Sequence, residues 1–139
     1  MITRKLVLQA LMRNSLDAFC QKTFHTVSPS DRYLSNWHLS AIANALEQCY
    51  RGNIKRLIIT MPPRSLKSIF TSIAFPCWVL GHDPTRRIIC ASYSADLAQK
   101  FSRDSKAVIS SDWYREIFPH TRLDRRAEQD LITTHKGGR

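Results

Sequence analysis

The chain has 139 residues, 43% of them apolar and 23% charged, which suits one globular domain with a modest core and excludes a disordered tail. Lys and Arg number 21 against 11 Asp and Glu, a formal charge of +10 that favours a polyanionic partner: DNA, RNA, nucleotide phosphates or an anionic membrane surface. The four cysteines, Cys20, Cys49, Cys77 and Cys90, form no C-x-x-C pair and no Cys/His cluster with zinc spacing, which argues against a zinc module and suits reduced thiols in a cytosol.

At the start, Arg4 and Lys5 precede Leu6-Val7-Leu8, but Gln9 and Arg13 interrupt the apolar run and no small-residue cleavage site follows. The pattern predicts a helix and not a signal peptide, and no stretch is long enough to span a bilayer. Leu6, Ala10, Leu11, Leu16 and Phe19 recur at helical spacing until Val27-Ser28-Pro29-Ser30 breaks the pattern. Leu39, Ile42, Ala43, Leu46, Cys49 and Tyr50 share one face of a second helix, and Gly52-Asn53 is a helix stop.

Residues 55–61, Lys-Arg-Leu-Ile-Ile-Thr-Met, then read as a buried strand. Pro62 and Pro63 end it, because proline offers no N–H to a ladder. Helical spacing returns over 67–80 through Ile69, Ile73 and Trp78, with Pro76 expected to kink or interrupt it. After a turn at Gly81-His82-Asp83-Pro84, residues 86–92 read as a second buried strand. Ser94 is the expected cap of the next helix, which carries Leu97, Ala98, Phe101, Val108 and Ile109, and Asp112 the cap of a short one after it. Residues 129–134 suggest a third strand and 136–139 a turn. The alternation predicts an α/β chain with a parallel sheet flanked by helices. It divides into an N-terminal helical segment, 1–34, and a second part, 35–139.

The stretch that carries chemistry is strand, then Met61-Pro62-Pro63-Arg64-Ser65-Leu66-Lys67-Ser68, then helix. A phosphate-binding loop needs main-chain N–H groups at a helix N-terminus, where the dipole is positive. It also needs a lysine that reaches the terminal phosphates and a hydroxyl that holds Mg²⁺. Lys67 and Ser68 fill the last two roles. The general pattern G-x-x-x-x-G-K-[ST] has glycine where this chain has Met61 and Leu66, and Leu66 restricts how the loop can bend. Taken without its surroundings, the same stretch is also an ordinary Lys-Ser at a helix start.

The run from Arg56 to Ser68 resembles the Walker A region of the large terminase subunits of tailed phages and prophages, the ATPases that package DNA. The resemblance extends to Trp78-Val79-Leu80-Gly81-His82-Asp83-Pro84 and to Arg87-Ile88-Ile89-Cys90-Ala91-Ser92-Tyr93-Ser94-Ala95-Asp96-Leu97-Ala98. It also takes in Trp37-His38 through Ala45-Leu46-Glu47, Arg51-Gly52, Thr133-Thr134 and Gly137-Gly138-Arg139, so it covers about 33–139. The Pro-Pro-Arg-x-x-Lys-Ser core is its specific element, and a Pro-Pro-Arg-Ser-Leu-Lys-Ser loop is familiar in that family.

The resemblance implies a partial P-loop NTPase fold with ATP and Mg²⁺ as cofactors. It implies double-stranded DNA, a portal and a small terminase subunit as partners, and the bacterial host cytoplasm as location. Pro63, Arg64, Ser65, Leu66, Lys67 and Ser68 would surround the ATP phosphates. Lys67 would contact the β and γ phosphates and Ser68 would ligate Mg²⁺. Arg64 would approach the γ-phosphate as the candidate catalytic residue, since a guanidinium can stabilise charge on a transferring phosphoryl group; its structural alternative is a surface salt bridge. Trp37 and His38 stand where such ATPases contact adenine, with Trp37 as a core anchor the alternative. Asp96 and Asp104 read as solvated-face or cap residues, and Tyr93 as a residue near the nucleotide by topology.

No apolar strand in the sequence ends in Asp-Asp or Asp-Glu, so the Walker B element, the coupling motif and the nuclease domain of that family are expected to be missing. The expectation is a truncated N-terminal ATP-binding portion, inactive alone. Two other readings stay open: a basic, non-catalytic nucleic-acid-binding module, and part of another helicase-like P-loop ATPase.

Overall fold

The computed structural model describes residues 3–124, 134 and 136–138. Among these residues six α-helices and one π-helical turn follow in chain order: α1 (Arg4–Asn14), α2 (Leu16–Val27), α3 (Trp37–Tyr50), the π-turn (Ile69–Ala74), α4 (Phe75–His82), α5 (Ala95–Ser110) and α6 (Asp112–Ile117). Among the described residues there is no strand and no sheet; the one β-type contact is an isolated antiparallel bridge between Leu123 and Thr134.

This corrects the expected α/β fold with its parallel sheet. Residues 55–61 and 86–92, the two predicted strands, form no ladder among the described residues, and a β-strand exists only when a neighbour takes its main-chain N–H and C=O groups. The expected N-terminal helices are present. The proposed third strand over 129–134 lies outside the described residues except for Thr134.

The first helical pattern divides in two at Ser15. Its extended backbone ends α1, and its Oγ accepts from the Ala18 N–H to cap α2. Helix α1 buries none of its residues fully; Met12 packs against the core and polar contacts hold the rest. Lys5 Nζ and Gln9 Nε2 donate to the Glu116 carboxylate at 2.7 and 2.9 Å, and the Arg13 guanidinium donates to the Ile117 carbonyl. Helix α3 ends as its sequence predicts: Gly52 has φ +81°, and the N–H groups of Arg51, Gly52 and Asn53 turn back to the carbonyls of Glu47, Cys49 and Gln48. The cap of α6 is Ser111, whose Oγ accepts from the Tyr114 N–H; Asp112, the expected cap, is its first helical residue. Ser94 is the N-cap of α5 by backbone but makes no side-chain cap bond.

The helix predicted over 67–80 is interrupted at Pro76 in a specific way. Proline cannot donate to the carbonyl four residues back and its ring crowds that carbonyl. The backbone widens into the π-turn immediately before it, and Pro76 sits in the first turn of α4.

The core gathers Leu16, Phe19 and Cys20 of α2, Phe70 and Ile73 of the π-turn, Cys77, Trp78 and Leu80 of α4, and Val108, Ile109, Tyr114 and Ile117 of α5 and α6. The Phe19, Trp113, Tyr114 and Phe118 rings pack edge-on or tilted at centroid distances between 5.2 and 6.1 Å. The Tyr114 hydroxyl donates to the Cys77 carbonyl at 2.7 Å, tying α6 to α4. This core fixes the position of the π-turn, and with it the loop that leads into it. No helix among the described residues is long and apolar enough to cross a membrane.

Candidate anion-binding loop

Residues 61–68 lead into a helical run, as the sequence predicts, but the residues before them are no strand, contrary to expectation. Two non-glycine residues among the described ones have positive φ, and both are here: Arg64 at 62° and Leu66 at 60°. For a residue with a Cβ this left-handed region costs about 1–2 kcal/mol each. Ser65 and Lys67 do not share it, so the sign of φ alternates through the loop. Alternation of right- and left-handed residues is the backbone pattern that turns successive N–H groups toward one side in anion-binding turns.

Helical hydrogen bonding begins with the Phe70 N–H, which donates to the Leu66 carbonyl at 3.1 Å. Among the described residues, the N–H groups of Leu66, Lys67, Ser68 and Ile69 have no main-chain acceptor. These are the free donors of a helix N-terminus, at the positive end of its dipole. Lys67 Nζ folds back across the loop and donates to the Pro62 carbonyl at 3.1 Å, bridging the two ends of the turn. Ser68 is exposed, and Arg64 is exposed with no ion pair among the described residues. The salt-bridge alternative for Arg64 is therefore absent among them. Ser65 Oγ is buried without a partner, an unused hydroxyl in the loop wall.

Leu66 resolves the departure from the glycine pattern in an unexpected way. It takes up the left-handed conformation and at the same time packs its side chain against the core. The packing holds the residue in a conformation that its Cβ disfavours. Pro63 is exposed on the outer side of the turn.

The other predicted residues are dispersed. Trp37 is 80% exposed at the start of α3, which removes its role as core anchor, and its ring meets the half-buried His38 edge-on at 6.4 Å. Helix α3 packs against the π-turn, so both are on an element adjoining the loop. Tyr93 is 95% exposed at the end of the second extended segment. Asp104 takes a salt bridge from Lys100 at 2.6 Å and Asp96 is exposed in the first turn of α5, both as expected for a solvated face.

The described residues contain no cluster of three or more His, Cys, Asp or Glu able to hold a metal. Metal binding here would rest on Ser68 together with the phosphates of a ligand. Cys20 and Cys77 are poor nucleophiles: burial pushes the Cys77 thiol up to about 12, and burial with the nearby Asp17 and Glu47 carboxylates raises Cys20. A cavity of about 270 Å³ lies away from the loop, between the π-turn, α4, α5 and residues 88–92. Sequence reasoning gave no signal for it, because it is made by the gap behind an extended segment that was expected to sit in a sheet.

No protein-family model, no curated protein and no solved structure matches the chain.

Proposed function

We infer that loop 61–68 binds the phosphates of ATP with Mg²⁺, and that the chain is an ATP-binding part of a terminase large subunit. In that setting the whole assembly, with portal and small terminase subunit, drives double-stranded DNA into procapsids. The observation that carries the reading is the positive φ at Arg64 and Leu66 beside four acceptor-free N–H groups and Lys67. Strain of this kind collects where a backbone must present itself to a ligand. The reading concerns the loop alone and requires no sheet in this chain.

Lys67 Nζ would hold phosphate oxygens in place of the Pro62 carbonyl, Ser68 Oγ would help to hold Mg²⁺, and the Arg64 guanidinium would stabilise charge on the terminal phosphoryl group. A charge-assisted contact of this type is worth roughly 1.5–3 kcal/mol. Lys67→Ala is therefore expected to weaken MgATP binding by at least about tenfold in calorimetry. Equal affinities for the two proteins would remove the assignment. The second reading, a basic nucleic-acid-binding module, is motivated by the +10 charge. It predicts DNA binding that Lys67→Ala and added nucleotide leave unchanged.

A further inference from the structure

We propose that helix α1 lies along the surface of an anionic lipid bilayer, with its aliphatic stripe among the headgroups. The helix is amphipathic in the reverse sense. Lys5, Gln9, Met12 and Arg13 recur at one helical spacing and turn toward the protein. Lys5 and Gln9 donate to the Glu116 carboxylate, Arg13 donates to the Ile117 carbonyl, and Met12 packs against the core. Two contacts fix this orientation at the C-terminal end: Trp78 Nε1 donates to the Met12 carbonyl at 3.3 Å, and His82 Nε2 lies 2.9 Å from the Arg13 carbonyl. Arg4, Val7, Leu8 and Leu11 recur at i, i+3, i+4 and i+7 on the other side. Val7 is 53%, Leu8 47% and Leu11 51% exposed. A helix that only had to cover its own core would place these aliphatic residues inward and its lysine and arginine in water.

Shape, size and charge decide the occupant of that stripe. A protein groove that receives a helix must reach round its flanks, and α2 and α6 already pack beside α1. A flat surface needs the outward stripe alone. A second copy would set the stripe against itself: Val7, Leu8 and Leu11 offer on the order of 300 Å² a side, well under the about 800 Å² per partner of a stable interface. Each copy would also bring a formal charge of +10 to the contact. An anionic bilayer suits both the size and the charge. Helix α1 carries Arg4, Lys5 and Arg13 and no Asp or Glu. Arg4 stands at the end of the stripe and has no ion pair among the described residues. A helix of this kind lies in the plane of the headgroups, with its aliphatic side chains toward the acyl boundary and its basic ones reaching the phosphates.

The probes are vesicles of phosphatidylcholine mixed with phosphatidylglycerol and vesicles of phosphatidylcholine alone, added to the full chain at low salt and followed by cosedimentation. The chain is expected to bind the anionic vesicles at least about tenfold more tightly than the neutral ones. Val7→Ser, Leu8→Ser and Leu11→Ser made together keep the charge and should weaken that binding at least about tenfold. All three positions are exposed, so the helical circular dichroism should be unchanged. Leu8→Trp alone should show, against the parent's fluorescence, an added blue-shifted emission that brominated acyl chains quench. Absence of binding to anionic vesicles, equal binding of the triple variant, or a Leu8→Trp emission that brominated chains do not quench overturns the proposal. Equal binding of the triple variant would show adsorption by net charge alone. A dimer in sedimentation equilibrium that the triple substitution dissociates overturns it too, and assigns the stripe to a second copy. Lys67→Ala should leave vesicle binding unchanged, which separates it from the phosphate-binding reading. Loss of vesicle binding in that variant would assign the lipid phosphates to loop 61–68 and overturn the role of α1.

Discussion

Replacing Arg64 by glycine should make the protein more stable and a poorer ligand for phosphate. The φ of 62° costs an arginine about 1–2 kcal/mol, which glycine does not incur. Against this, glycine gains more freedom in the unfolded chain, worth roughly 0.5–1 kcal/mol. Arg64 is exposed and carries no ion pair among the described residues, so little packing is lost. The balance is a gain of about 0.5–1 kcal/mol, or roughly 2–4 °C in Tm for a chain of this size. Arg64→Ala keeps the strain and should leave stability within about 0.5 kcal/mol of the parent. Both variants lose the guanidinium and should bind MgATP at least about tenfold more weakly if Arg64 faces the γ-phosphate. Urea denaturation and calorimetry on the three proteins test this. If Arg64→Gly is less stable than Arg64→Ala, position 64 is not strained, and the account of the loop as a conformation held for a ligand fails.

Gly81→Ala should destabilise by about 1–2 kcal/mol despite its better helix propensity, with partial rescue by Phe118→Leu, because a Cβ there would lie 2.4 Å from the Phe118 ring. Tyr114→Phe should cost about 1 kcal/mol in urea denaturation by removing the hydrogen bond to the Cys77 carbonyl; no change would show that the bond does not tie α6 to α4. The ring of His82 is partly buried against Trp78, Tyr50 and Phe118, and Nε2 lies 2.9 Å from the Arg13 carbonyl. Its pKa is lowered, by burial first, with the contact to Arg13 opposing, so the fold favours the neutral ring and stability is lost as pH falls below the ordinary value of 6.5. Denaturation midpoints should decline between pH 7 and pH 5 in the parent and stay flatter in His82→Phe. The lowered pKa values of Asp83 and Glu116 act in a separate window, their stabilisation being lost only as pH falls below about 4.

The helices were legible because their signals are local. The apolar spacing of Leu39, Ile42, Ala43 and Leu46 and the Gly52 stop specify α3 with no knowledge of its neighbours. The division at Ser15 was missed because Leu11 and Leu16 maintain the apolar spacing across it, and only the serine cap marks the break. The sheet could not be read in the same way. Leu57-Ile58-Ile59 and Ile88-Ile89 carry strong strand propensity, but propensity reports how a side chain suits a pleated surface and says nothing of who supplies the partner. A strand needs that partner, and the partner is not legible in these residues.

The loop illustrates a different limit. Read by residue type, Leu66 counts against a phosphate-binding turn, since glycine is the residue that enters the left-handed region without cost. Its backbone nonetheless has φ 60°, and its side chain is packed against the buried cluster. Burying a leucine fully is worth about 1.5–3 kcal/mol, and partial burial a fraction of that, which is enough to offset a penalty of about 1–2 kcal/mol. Glycine solves the conformational problem of such a loop by removing the Cβ, and this chain solves it by anchoring the side chain. The two solutions differ in consequence, because an anchored residue couples the shape of the loop to the core around Phe70 and Ile73. Substitutions that loosen that core should therefore disturb the Arg64 and Lys67 positions without touching the loop itself.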